Sequence, residues 1–97
     1  MYCVICKDKP DHVDVRMANR PDHVAYVLAD PSVKTAGPFV AEDGETMIGT
    51  LLVLDVETRA EAEAFAANDP YHKAGLFESV EVMAWKHLIG GLADPNA

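Results

Sequence analysis

Basic residues are scarce in this 97-residue chain: 8 Lys and Arg stand against 16 Asp and Glu, a formal net charge of −8. A surface that holds nucleic acid needs surplus cations to displace counterions from phosphate, and an anionic bilayer makes a similar demand. The charge balance argues against both partners. Long apolar runs are missing too, since nothing approaches the ~20 residues of a membrane-spanning helix. The opening Met1-Tyr2-Cys3-Val4-Ile5-Cys6 is apolar but lacks a basic lead-in and stops at Lys7-Asp8, which argues against a signal peptide. No glycine-rich phosphate loop, G-x-S-x-G or H-E-x-x-H occurs. No cofactor or metal is therefore expected.

Only two cysteines are present, spaced as Cys3-Val4-Ile5-Cys6. A redox pair of this spacing belongs at a helix N-terminus, where the thiol is activated. Here it lies in a β-type run, where residues i and i+3 point to opposite faces. Two thiols are also too few for a structural zinc. The expectation is buried, reduced cysteines and a cytoplasmic setting.

Periodicity and punctuation divide the chain as β-α-β-β-α-β. Tyr2 to Lys7 reads as a strand. Asp11 to Asp30 reads as a helix with an apolar stripe of Val13, Met17, Val24, Val27 and Leu28, kinked or split by Pro21 near Asn19-Arg20. Val33 to Val40 and Thr46 to Val56 are strands around a turn at Glu42-Asp43-Gly44. Thr58 and Glu61 form a capping box for a helix ending near Ala67. Asp69 caps a further short turn that Pro70 starts and Gly75 ends. Leu76 to Lys86 is the last strand. Residues 1–89 form one domain in this reading, followed by a flexible tail over 90–97.

This order, with right-handed crossovers, predicts an α+β ferredoxin-like fold: a four-stranded antiparallel sheet with two helices on one face. An exposed second face should be polar. Yet Leu51 and Val53 oppose Leu52 and Leu54, and Val80 and Val82 oppose Met83 and Trp85, so both faces carry apolar residues. A second copy of the chain is the economical cover, which predicts a homodimer, with higher assembly left open.

The polar residues able to do chemistry sit at element ends: Arg20, Asp22 and His23, then Thr35 and Gly37, then Asp69 and Tyr71. His23 lies at the border of the apolar stripe, either as a solvated helix-edge residue or as a base reaching a cleft. As a border residue, its removal should cost little stability. Asp69 is either only a helix cap or also the partner of an imidazole. His12, His72 and His87 read as surface residues, His12 in the first turn of helix one. A metal site from His23, Asp69 and His72 is the weakest of the readings weighed.

Arg20-Pro21-Asp22-His23-Val24 resembles the R-P-x-H-hydrophobic signature of the YciI-like (YCII-related) family. Thr35-Ala36-Gly37-Pro38 is similar to that family's second-strand segment, and Asn68-Asp69-Pro70-Tyr71 with Ala74-Gly75-Leu76 resembles its D-P-[YF]-x-x-[AG]-G block. The resemblance implies a dimeric α/β barrel and an active site on a histidine and an aspartate, here His23 and Asp69. Arg20, Thr35, Gly37, Pro38 and Tyr71 are then the expected substrate-binding residues. One family branch is associated with loss of HCl from chlorinated aromatic compounds, and the superfamily includes muconolactone isomerase-like and monooxygenase-like enzymes. Two functions are carried forward. One is a cofactor-independent lyase or isomerase acting on a cyclic or aromatic metabolite. The other is a non-catalytic module that binds a small molecule or a partner.

Overall fold

Alternating burial along Tyr2–Asp8 places Val4 and Cys6 in the core and Cys3 and Ile5 on the other side, as a two-residue period requires. The computed structural model describes residues 1–91, so the part of the expected tail from residue 92 onward lies outside the described residues. The elements are β1 (Tyr2–Asp8), α1 (Val13–Leu28), β2 (Val33–Val40), β3 (Met47–Leu54), α2 (Arg59–Ala67), α3 (Pro70–Lys73) and β4 (Phe77–Ala84). The strands form one antiparallel sheet in the order β2-β3-β1-β4. This is the expected ferredoxin-like topology.

Both long helices cover one face. Ala62, Phe65 and Ala66 of α2 meet Val4, Cys6, Leu52 and Leu54, with Tyr26 and Val27 of α1 alongside. The Tyr26 hydroxyl donates to the Phe65 carbonyl at 2.7 Å and ties the helices together. Burying the three aliphatic side chains among these, Val4, Leu52 and Leu54, contributes roughly 1.5–3 kcal/mol each. Thr58 caps α2 by accepting from the Glu61 amide. The Glu61 carboxylate accepts from the Glu57 amide, one residue earlier than a full capping box would have it.

Helix α1 departs from expectation in three ways. It starts at Val13, with His12 as N-cap and Asp11 in the left-handed region at φ 59°. Of the kink and the split expected at Pro21, the split does not occur, since Pro21 lies inside one continuous helix. Pro21 and Met17 are both exposed, so the Met17 carbonyl that loses its N–H partner is free to take water. Third, the apolar stripe turns inward only at Val24 and Val27, which are half-buried. Val13, Met17 and Leu28 are exposed, and the buried residues of α1 are Arg16 and His23. The reason is placement: α1 leans on α3 and stands off β2, so its inner side meets polar groups and an open cleft.

The second sheet face carries Cys3, Ile5, Leu51, Val53 and Met83, matched across the strands by register. Val53 is buried there, Cys3, Ile5 and Leu51 are half-buried, and Met83 is exposed. Cys3 and Cys6 are free and on opposite faces. His72 is exposed, as expected. His87 is not a plain surface residue: it stacks on Trp85, and its Nε2 is buried without a partner. No described helix is long and apolar enough to cross a membrane.

Candidate active site

Asn68-Asp69-Pro70 ends α2 and begins α3 within three residues, because Asp69 takes an extended backbone and Pro70 presets the next helical turn. The cap brings Asp69 Oδ1 to the Tyr71 amide, which donates to it at 2.9 Å. The same carboxylate faces α1. His23 Nδ1 lies 2.8 Å from Oδ1 and 3.0 Å from Oδ2. Asp69 is fully buried and His23 is 8% exposed, so the pair is shielded from water. Asp69 is therefore more than a cap: the carboxylate that accepts from the Tyr71 amide also meets the imidazole.

An ionised carboxylate only accepts, so Nδ1 carries the proton and donates it to Asp69. In the neutral form of the ring the lone pair is then on Nε2. That atom makes no hydrogen bond among the described residues and is not occluded, so it opens on the cleft.

Tyr71 holds the imidazole from the side. Its ring lies 3.9 Å from that of His23 at an interplanar angle of 14°. Burial pushes the Tyr71 phenol up, and the positive charges of Arg16 and Arg20 pull it partly back. The Arg16 guanidinium sits 4.5 Å from the Tyr71 ring centroid. It also donates to both oxygens of Asp8, at 2.7 and 3.0 Å, and to Thr50 Oγ1 at 2.7 Å. Arg16, Thr50 and Asp8 were not foreseen from sequence. The available signal was spacing: Arg16, Arg20 and His23 are separated by four and three residues and share one helix face.

A cleft of about 500 Å³ opens between α1 and the β2–β3 side of the sheet. His23, Arg20, Thr35, Gly37, Pro38 and Tyr71 all line it, while Asp69 stands behind His23. Val24, Val27, Leu28, Val33 and Met47 supply apolar wall. Pro38 and Gly37 lie opposite Thr50 and Leu51 in the strand register. His72 does not join this site. It lies beside Arg59 and Glu63 in a separate hollow, and no three His, Cys, Asp or Glu side chains converge as metal ligands among the described residues.

Residues 1–86 match the profile of the YCII-related domain family. Protein YciI of Escherichia coli O6:H1 is 33% identical over 96 residues, covering 91% of this chain and 98% of the relative, and Protein YciI of Shigella flexneri matches equally. Among solved structures, 5-chloro-2-hydroxyhydroquinone dehydrochlorinase (TftG) from Burkholderia phenoliruptrix AC1100, in complex with 2,5-dihydroxybenzoquinone, is 34% identical. It superposes with a TM-score of 0.79 over 90% of this chain and 95% of that one. A structure described as an antibiotic biosynthesis monooxygenase shares the fold, at 15% identity, with a TM-score of 0.57 over 92% of this chain and all of that one. The fold is that of the dimeric α/β-barrel proteins, and with the profile and the relatives in agreement the chain belongs to the YCII-related domain family.

Proposed function

We propose that the protein is a cofactor-independent enzyme that moves protons on a small hydroxylated ring and expels a leaving group from it. The observation that carries this is the buried His23–Asp69 pair, which leaves Nε2 as the one unprotonated ring nitrogen facing an apolar-walled cleft. The likeness to a dehydrochlorinase adds the substrate class, a chlorinated hydroxyquinol.

The chemistry balances without an oxidant. Nε2 takes the proton of a ring hydroxyl and returns it to the halogen-bearing carbon, which becomes tetrahedral. Removal of a second hydroxyl proton then forms a carbonyl, and the electron pair of the C–halogen bond leaves with the halide. The net loss is one HX. Asp69 keeps the tautomer and steadies the imidazolium between the two transfers. Arg20 or a backbone N–H near Gly37 meets the developing oxyanion, and Thr35, Pro38 and Tyr71 border the ring.

The same reading makes the enzyme a homodimer through the second sheet face, supported by the apolar residues there and by the fold of its relatives. Two unpaired thiols support a cytoplasmic setting. The test is halide release from 5-chloro-2-hydroxyhydroquinone, followed by ion-selective electrode and by quinone absorbance, for the native chain and His23→Ala. Release that disappears in the variant is expected. No release by the native chain across a panel of halogenated quinols, or full release by the variant, would leave a binding module in place of an enzyme.

A further inference from the structure

Three of the chain's 8 Lys and Arg line one cleft in a protein of net charge −8. Their circumstances differ. Arg16 is buried and its charge is matched by Asp8 across two hydrogen bonds. Arg20, one turn further along the same face of α1, is exposed and has no ion-pair or hydrogen-bond partner among the described residues. Lys34 stands on the β2 wall, likewise without a partner among them. It is the extra residue of a bulge, since Val33 pairs with Leu54 and Thr35 with Val53, and a bulge re-aims a side chain away from the regular alternation.

The cleft has one lining carboxylate, Asp30, and that group already accepts from the Ser32 amide and hydroxyl. Asp69 lies behind His23 and is engaged with it. Two uncommitted cations thus flank apolar walls inside an otherwise acidic molecule. Low-dielectric walls focus such a field and concentrate the ion of opposite sign. The apolar lining disfavours a small, strongly hydrated inorganic anion and suits a flat organic one.

From this we infer that the cleft holds a ring-bearing anion more tightly than a neutral ring, with the ionised oxygen met by Arg20 and Lys34. The inference rests on the proposed function and deepens it: loss of HX from a trihydroxylated halogenated ring leaves a hydroxyquinone, and the two cations set the charge state in which that ring is held. A hydroxyl on a quinone carbon is conjugated to the carbonyl and behaves as a vinylogous carboxylic acid. Such a ring is ionised at neutral pH, whereas hydroquinone is not.

The experiment is calorimetric titration of the native chain at neutral pH with three probes: 2,5-dihydroxybenzoquinone, hydroquinone and inorganic phosphate. The hydroxyquinone should bind roughly tenfold or more tighter than hydroquinone, as a charge-assisted hydrogen bond implies, and should weaken as salt is raised. Arg20→Gln should remove that advantage of the hydroxyquinone over hydroquinone, and Arg20→Lys should restore most of it. Lys34→Gln should show a smaller loss in the same direction. Circular dichroism checks that these surface variants stay folded. Equal affinity for both rings, unchanged binding by Arg20→Gln, binding of neither ring, or phosphate competing as well as the hydroxyquinone would each overturn the inference. The outcome is separable from that of the reaction. His23-dependent halide release with Arg20-independent binding refutes the anion site alone, and Arg20-dependent binding without any release refutes the reaction alone.

Discussion

The Tyr71 ring lies parallel to the His23 imidazole at 3.9 Å, while the Tyr71 amide donates to the carboxylate that holds that imidazole. One residue of α3 therefore fixes both members of the pair. Tyr71→Phe should keep the stack and shift stability by less than about 1 kcal/mol. Tyr71→Ala should cost about 3–5 kcal/mol, as removal of a buried aromatic does. Thermal denaturation of the two variants checks the contrast.

Removing His23 exposes a cost that its place on the helix did not suggest. Asp69 is fully buried, and without the imidazole its charge keeps only the Tyr71 amide. His23→Ala should therefore destabilise the fold by about 3 kcal/mol or more, against the earlier expectation of little change. Asp69→Asn should lower any turnover by about 10⁴-fold through loss of the tautomer. Urea denaturation of the first and steady-state kinetics of the second are the measurements.

Leu52 and Leu54 face the helices, so the residues that test the dimer are Leu51 and Val53 on the other side. Leu51→Glu places a charge in the middle of that face and should convert a dimer to monomers. Multi-angle light scattering at micromolar concentration decides it. A native chain that is already monomeric would remove the dimer from consideration.

Burial pushes the Cys6 thiol up to about 12, with the Asp69 charge adding to the effect. Its thiolate is scarce at pH 8, so an aromatic disulfide reagent should modify Cys6 only as fast as the chain unfolds. Cys3, raised by burial but more accessible, should react first. The linkage runs against the fold in alkali. An unfolded Cys6 releases its proton near 9.0 while the folded one holds it to about 12, so stability should fall as pH rises through that window. Denaturation midpoints of the native chain and Cys6→Ala, compared from pH 8 upward, isolate the contribution.

Gly49 sits where a Cβ would come within 2.5 Å of the Cys6 carbonyl oxygen and 3.0 Å of the Phe39 ring. The ring can turn but the strand backbone cannot, since Lys7 pairs with Gly49 across the ladder. Gly49→Ala should cost about 1–3 kcal/mol by overpacking. A variant as stable as the native chain would show that β1 and β3 can part there.

The order of elements, the caps at Thr58 and Asp69 and the doubly apolar β3 were legible in the sequence, because each is set by residues within a few positions of one another. A cap needs an oxygen two or three residues from a free N–H, and a strand declares its faces by alternation. The family motifs likewise marked His23, Asp69 and Arg20 one by one. What only the tertiary structure decided is which of these residues meet. His23 and Asp69 are 46 positions apart and touch because α1 leans on α3 instead of on β2. That lean turned Val13, Met17 and Leu28 outward, drew Arg16 into a bond with Asp8, and opened the cleft that Arg20 and Lys34 flank. Periodicity reports how apolar a helix face is, but the neighbour that face meets is set by the volume and placement of the other elements. A buried polar row on α1 therefore had no local signature that would set it apart from a solvated one.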